Sequence, residues 1–303
     1  MREGRYFQAS ESRKRTLAEA IDKYADECLP KLKDPIHRAH HLKWWRKRLG
    51  HTTLSSLNRA DVVESRNVLK KSFSEATVNR YLASLSPVLS EAVKEWGWMQ
   101  SNPCLKVRRY KEPDGRTRFL SDDERNRLLA ACDKLPKHPE LKLIILIAIT
   151  TGIRRGEIRG LCWKHVTFKR ERLVIVDSKN GETRSVPLVG PAYEGMVAWS
   201  KVRPLDDNSY VFPGKTDETK GQPLDFDKCW QDARRLADIK DFRFHDLRHT
   251  AASYLAMNGA GLREIGDILG HKTLAMVKRY SHLTDDHKNK TVLRMTDAVF
   301  GGK

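Results

Sequence analysis

The chain has 303 residues, enough to bury a sizeable core and more in keeping with two domains than one. Its 57 Lys and Arg against 39 Asp and Glu give a formal net charge of +18, which favours a polyanionic partner, nucleic acid first. No run of 18 apolar residues occurs, which argues against a membrane helix, and the first residues lack the apolar core of a signal peptide. The charge is spread along the chain: 23 basic and 13 acidic residues lie in 1–113, and 34 and 26 beyond. A basic protein with no polyanionic partner is the alternative that charge alone leaves open. Cys28, Cys104, Cys132, Cys162 and Cys229 form no C-x-x-C pair, as expected of buried single thiols in a reducing cytosol.

Residues 1–14 are polar and basic and read as a flexible arm. Thr16 and Glu19 then have the spacing of a capping box, in which hydroxyl and carboxylate satisfy each other's free backbone amides. Leu17, Ala20, Ile21 and Tyr24 follow at helical spacing, and further helical patterns span 36–49, 58–70 and 75–95. Residues 15–105 therefore read as a small helical domain. Residues 106–118 are basic, contain Pro113 and Gly115, and read as a linker.

Ser121 and Glu124 form a second predicted capping box, which opens a domain over 119–285. Leu141–Ile149 is apolar nearly all round and predicts a buried helix, which Gly152 stops. A short helix is expected through Glu157–Leu161. Alternation over 172–188 predicts a β-hairpin with Asn180-Gly181 as a two-residue turn and Lys179 at the tip. A loop-rich stretch covers 203–225, and helices are expected beyond it, with stops at Gly259 and Gly270. The fold class that follows is mainly α with a small antiparallel β-sheet: a helical N-terminal domain and a mixed α+β C-terminal domain.

Five short elements stand in order in the second half: Thr151-Gly152-Ile153-Arg154-Arg155-Gly156-Glu157; Lys179; His245-Asp246-Leu247-Arg248-His249; Leu269-Gly270-His271; and Tyr280. Arginine suits phosphate recognition because its planar fork meets two oxygens at once. His245 and Arg248, three apart, share a helix face. His245 and His249, four apart, have the spacing of a zinc motif, but Asp246 stands where that motif has Glu and no third ligand stands out. Tyr254, inside an amphipathic pattern with Leu255, reads as core, whereas Tyr280, flanked by Arg279 and Ser281, has a surface aromatic as its alternative.

In order and spacing these elements resemble the tyrosine recombinase (phage integrase) family over roughly 15–285, with the helical half resembling its core-binding domain. The resemblance implies a site-specific DNA recombinase with a 3′-phosphotyrosyl intermediate, independent of metal, ATP and any cofactor. Tyr280 would be the nucleophile, Arg154 and Arg248 phosphate clamps, Lys179 the general acid, His245 a proton-transfer group and His271 a phosphate contact. Glu157 would orient an arginine or brace the fold, and His249 would pack or bond backbone. A type IB topoisomerase-like activity and a non-catalytic DNA binder are the rival readings.

The implied partners are double-stranded DNA with a specific core site and a homotetramer assembled through the tail 286–303. An accessory DNA-bending or directionality factor is a further candidate. The tail's apolar residues have packing on their own chain as the alternative. Lys43, Arg46, Lys47, Asn79 and Arg80 are the groove-facing candidates of the first domain, with a solvated face as the alternative. Many integrases carry an arm-binding domain before the core-binding one. Here about 15 residues precede the first capping box, which implies a simple core site or a shortened form. A cytoplasmic, nucleoid-associated protein of bacterial or phage origin is expected, with integration or excision of a mobile element as its use.

Overall fold

The computed structural model describes residues 13–32, 34–113, 115–176, 183–202, 206–271 and 273–301, with backbone alone for 282–291 and 294. The chain divides into two compact units, Met1–Asp114 and Gly115–Lys303.

The first unit is helical in its described residues: α1 Leu17–Glu27, α2 Pro35–Leu49, α3 Arg59–Lys70 and α4 Glu75–Lys94. Each begins where a short polar side chain satisfies an otherwise free amide. Thr16 and Glu19 form the capping box read from sequence, Asn58 and Asp61 form another, and Asp34 and Ser74 accept from His37 and Thr77 amides. α2 packs on α4 around Trp45, which is fully buried and donates its indole N–H to the Tyr81 carbonyl at 2.9 Å. A buried indole needs such a partner because its N–H has lost water.

The segment read as one linker divides between the units. On the first, Arg66 donates to the Arg108 carbonyl (2.7 Å), and the Asn79 amide accepts from Tyr110 N and donates to the Tyr110 carbonyl and Glu112, all at 2.9 Å. On the second, Arg116 holds Asp241 and Asp246, and Arg118 holds Glu124.

The second unit is mixed. The order is α5 Asp122–Asp133, α6 Glu140–Thr151, α7 Arg155–Arg159, a three-stranded sheet, α8 Pro191–Lys201 and α9 Asp227–Leu236. Then come α10 Asp246–Met257, α11 Leu262–Leu269, two 3₁₀ turns (Leu274–Met276 and Lys278–Thr284) and α12 Asp285–Phe300. α6 is buried almost all round because α8 and α10 both pack on it.

The sheet runs β1 (Val166–Thr167), β2 (Arg172–Val176), β3 (Thr183–Pro187), antiparallel throughout. The sequence pattern missed β1, whose two residues are too few to show alternation. In the hairpin Val176 lies opposite Thr183, whereas strands running straight into a two-residue turn at 180–181 would put it opposite Ser185. Two contacts below the tip hold the observed register: Leu188 N donates to the Glu171 carbonyl at 2.8 Å, and Arg184 is locked to Glu157. The predicted turn and Lys179 itself lie outside the described residues.

Candidate functional site

Two glycine stops set the site. α6 ends at Gly152 with φ +63°, a left-handed conformation that costs any residue with a Cβ. That turn leaves Arg154 extended at the N-terminus of α7, where its backbone N–H donates to Glu157 at 2.6 Å. α11 ends the same way at Gly270, φ +67°. A Cβ there would sit 2.8 Å from Arg184 Cδ, so the glycine also permits a close approach.

Around these turns the arginines converge. Arg248, on α10, is 4% exposed and donates to the Gly152 and Leu269 carbonyls at 2.6 Å each. Arg154 reaches Glu157 at 2.9 Å and the Gly270 carbonyl at 3.4 Å. Consecutive carbonyls at the C-terminal end of α11 thus receive two guanidiniums, where the helix dipole also favours positive charge. Glu157 lies between Arg154 and Arg184, which donates to both its oxygens at 3.0 and 2.7 Å. Burial raises the Glu157 pKa, but hydrogen bonds from Arg184 and the Arg154 amide outweigh it, and the net shift is downward. Burial, then the Arg154 charge, lowers Arg248 to about 10, which leaves it a cation at neutral pH.

The histidines surround this cluster. His245 stands at the start of α10, whose entry is fixed by Asp246: its buried carboxylate accepts from Arg243 N (2.8 Å) and Arg116 (3.1 Å). His271 follows Gly270, and its buried Nδ1 has no hydrogen-bond partner among the described residues. Burial and the charges of Arg248 and Arg154 push His271 down to about 4. Loss of solvation, then the Arg248 charge, lowers His245 as well.

Tyr280 lies in the second 3₁₀ turn, 2% exposed, packed with Ala252, Ala256, Ile265, Leu269 and Val277. Its hydroxyl meets His249 Nδ1 at 2.5 Å. Burial raises the Tyr280 pKa against the lowering effect of Arg279 and Arg248. Among the described residues no group of three or more His, Cys, Asp or Glu is arranged to hold a metal ion, and no helix is long and apolar enough to cross a membrane.

Arg154, Arg248, His245, His271 and Tyr280 are therefore brought into one cluster from segments up to 126 positions apart. Two residues of the cluster stand outside the site as read from sequence: Arg184 was not singled out, and His249 was given another role. Arg184 had a signal: it shares a strand face with Val186, which is buried, and an inward arginine requires a partner. His249, expected to pack or bond backbone, bonds the Tyr280 hydroxyl instead. The spacing 249, 252, 256 was its signal, since the two alanines make room for a ring on that helix face.

In the first unit, Lys43, Lys47 and Arg80 are exposed, and Arg46 is exposed but paired to Asp22 by two 2.9 Å bonds. Asn79 is not groove-facing: it is 6% exposed and its amide is used in holding Tyr110 and Glu112. Tyr254 packs as expected and donates to the Leu120 carbonyl at 3.1 Å.

Residues 118–287 match the phage integrase family and residues 13–111 match the phage integrase N-terminal domain. The chain is 30% identical over 283 residues to the shufflon-specific DNA recombinase of Escherichia coli, covering 89% of this chain and 70% of that protein. It is 31% identical over 238 residues to the integrase of Salmonella phage P22, covering 75% and 58%. Among solved structures, the Tn1549 transposon integrase in complex with a circular intermediate DNA superposes with a TM-score of 0.76 at 18% identity, over 93% of this chain and 99% of that one. A lambda integrase tetramer bound to a Holliday junction gives 0.71 at 21% identity, over 88% and 77%.

Proposed function

The chain belongs to the phage integrase family of tyrosine recombinases, and from that membership we propose that it cuts and rejoins DNA at a specific site through a phosphotyrosyl link on Tyr280. The observation that carries this reading is the meeting of Arg154 and Arg248 on the carbonyls of Gly270 and Leu269, beside His271 and in the same cluster as Tyr280. Two fixed guanidiniums supply at a phosphate what a metal supplies elsewhere: positive charge already oriented where negative charge develops.

The Tyr280 oxygen attacks the scissile phosphorus, the bond to the 5′ oxygen breaks, and a free 5′ hydroxyl later reverses the step on the same or a partner strand. The phosphodiester energy is kept in the covalent link, so no nucleotide is consumed. Lys179 is assigned as the acid for the leaving oxygen. Its place in the motif order supports this. His271, with an unpartnered buried nitrogen, is assigned to a phosphate oxygen, and His245 to the same phosphate or its proton traffic.

The helical unit, 15–105, is assigned to DNA binding; exposed Lys43, Lys47 and Arg80 support it, with 106–118 as the connecting segment. Homotetramer assembly through the tail is supported by the exposure of Val292, Leu293, Val299 and Phe300 on α12. Integration or excision of a mobile element is the proposed use, with an accessory bending or directionality factor as a further partner.

Covalent capture tests the reading. Tagged protein is expressed with the DNA that flanks its gene, denatured and recovered, and the attached DNA is sequenced from wild type and from Tyr280→Phe. DNA held by wild type alone, ending at one recurrent sequence, is the expected result. Recovery from neither, with no recombination in cells, would reduce the chain to a DNA binder. Adducts that yield only relaxed circles would make it a topoisomerase.

A further inference from the structure

We propose that His249 is a catalytic residue: its Nδ1 takes the Tyr280 hydroxyl proton as the phenol attacks the scissile phosphate. This inference rests on the recombinase reading above and assigns within it a role that the motif order gives to His245. The direct observation is the 2.5 Å contact between His249 Nδ1 and Tyr280 Oη. General-base catalysis requires the acceptor within hydrogen-bond reach of the proton it removes, and His249 meets that requirement. No contact between His245 and the Tyr280 hydroxyl is found among the described side chains; the His245 ring stands edge-on to the His249 ring, with centroids 5.4 Å apart.

The packing explains why the contact is held. Residues 249, 252 and 256 share one face of α10. Ala252 and Ala256 are fully buried, and with Ile265, Leu269 and Val277 they enclose the phenol ring. A ring laid on two alanines along a helix directs its hydroxyl to the side chain one turn earlier, and that side chain is His249. The two rings are 6.1 Å apart and tilted by 42°, so the contact runs through the polar edge rather than by stacking.

The surroundings keep the imidazole neutral before attack. Burial, then the neighbouring His245, lowers His249 to about 4. The charged and titratable groups around it are His245, Asp246 and Arg248 on its own helix, Arg279 and Tyr280 from the following turn, and His271 after α11. Apart from Asp246 and the uncharged tyrosine, these oppose a proton on His249 in the absence of DNA. A scissile phosphate brings the negative charge that makes the imidazolium acceptable.

The step balances as follows. The Tyr280 O–H bond breaks, its proton passes to the Nδ1 lone pair, and the imidazole keeps its other proton on Nε2. The Tyr280 Oη–P bond forms, the P–O5′ bond breaks, and the departing O5′ takes a proton from the general acid. On rejoining, a 5′ hydroxyl attacks phosphorus and His249 returns its proton to the phenol oxygen.

The test is single-turnover cleavage of a duplex recovered from the wild-type covalent adduct formed on a random-sequence pool. It is run with the natural leaving oxygen and with sulfur in its place. His249→Asn is expected to cleave both substrates slower by about 10²–10⁴-fold, since sulfur repairs only the leaving-group side, while binding the duplex as wild type does. Replacing Tyr280 by the more acidic difluorotyrosine in that variant is expected to restore at least tenfold of the loss, which a merely structural role would not do. If His249→Asn melts early, His249→Gln takes its place. Cleavage within about twofold of wild type, rescue by sulfur, or no rescue by difluorotyrosine would each overturn the inference while leaving the recombinase reading intact. Absence of any wild-type adduct would remove both.

Discussion

Glu157 shows how single side chains in this site work through others. One carboxylate, 12% exposed, holds Arg154 by both its backbone and its guanidinium, and holds Arg184 by both oxygens. Glu157→Gln is expected to destabilise the protein by about 1–3 kcal/mol at pH 7, the cost of leaving charged donors poorly matched. It should also slow cleavage by letting Arg154 swing. The pH dependence separates this from general damage. Because the folded pKa of Glu157 is lowered, its stabilisation is complete above its ordinary value of 4.5 and is lost as pH falls through the folded value. Melting temperatures of wild type and the Gln variant should therefore converge as pH falls below 4.5 and through the lowered folded value. His249 and His271, both held to about 4, add a loss common to the two proteins. The unfolded chain takes up their protons from pH ~6.5 downward, so stability falls between that value and the folded one. Thermal melts from pH 7 to 3.5 measure both; a constant gap at every pH would remove Glu157 from the charge balance.

At the scale of elements, the site is made by helix ends rather than helix bodies. Gly152 ends α6 in a left-handed turn, its carbonyl receives Arg248, and a Cβ at this position would lie 2.2 Å from Leu269 Cδ2. Gly152→Ala is expected to cost at least about 2 kcal/mol, from the left-handed conformation and from overpacking. It should also lose cleavage beyond what stability explains, because Leu269 carries the other carbonyl that holds Arg248. Denaturant unfolding and covalent-adduct yield measure the two effects. A variant with wild-type stability would show that the turn tolerates a Cβ. These helix ends were legible in the sequence: Thr16 with Glu19, Ser121 with Glu124, Gly152 and Gly270 all act where their chemistry predicted. The hairpin was legible as a hairpin; its register, with Val176 opposite Thr183, came from the structure, and the predicted turn lies outside the described residues.

Across the whole molecule, both units carry their own apolar core and both halves of the sequence are basic. Binding to non-specific duplex should therefore be strongly salt-dependent. If six or more phosphates are contacted, affinity should fall by about 10³-fold or more between 50 and 200 mM salt. Titration by fluorescence anisotropy measures the slope, for the full chain and for residues 13–111 alone; a flat slope would contradict a phosphate-tracking surface. Lys43→Ala, Lys47→Ala and Arg80→Ala should each reduce that slope if they meet phosphate. Asn79→Ala should instead loosen the segment that Tyr110 anchors.

The sequence by itself determined the helices and their caps, the basic character, the two-stranded hairpin of the sheet and the ordered set Arg154, Lys179, His245, Arg248, His271 and Tyr280. Each of these depends on neighbours within a turn or two of chain, or on motif order along it. Only the tertiary structure decided that Arg184 shares Glu157, that Asn79 is spent on the chain rather than turned outward, and that His249 rather than His245 meets the Tyr280 hydroxyl. Those choices lie between groups 27 to 33 residues apart, as the pairs 157–184, 79–112 and 249–280 show. Local pattern lists the groups able to bond; packing selects which of them are close enough to do so.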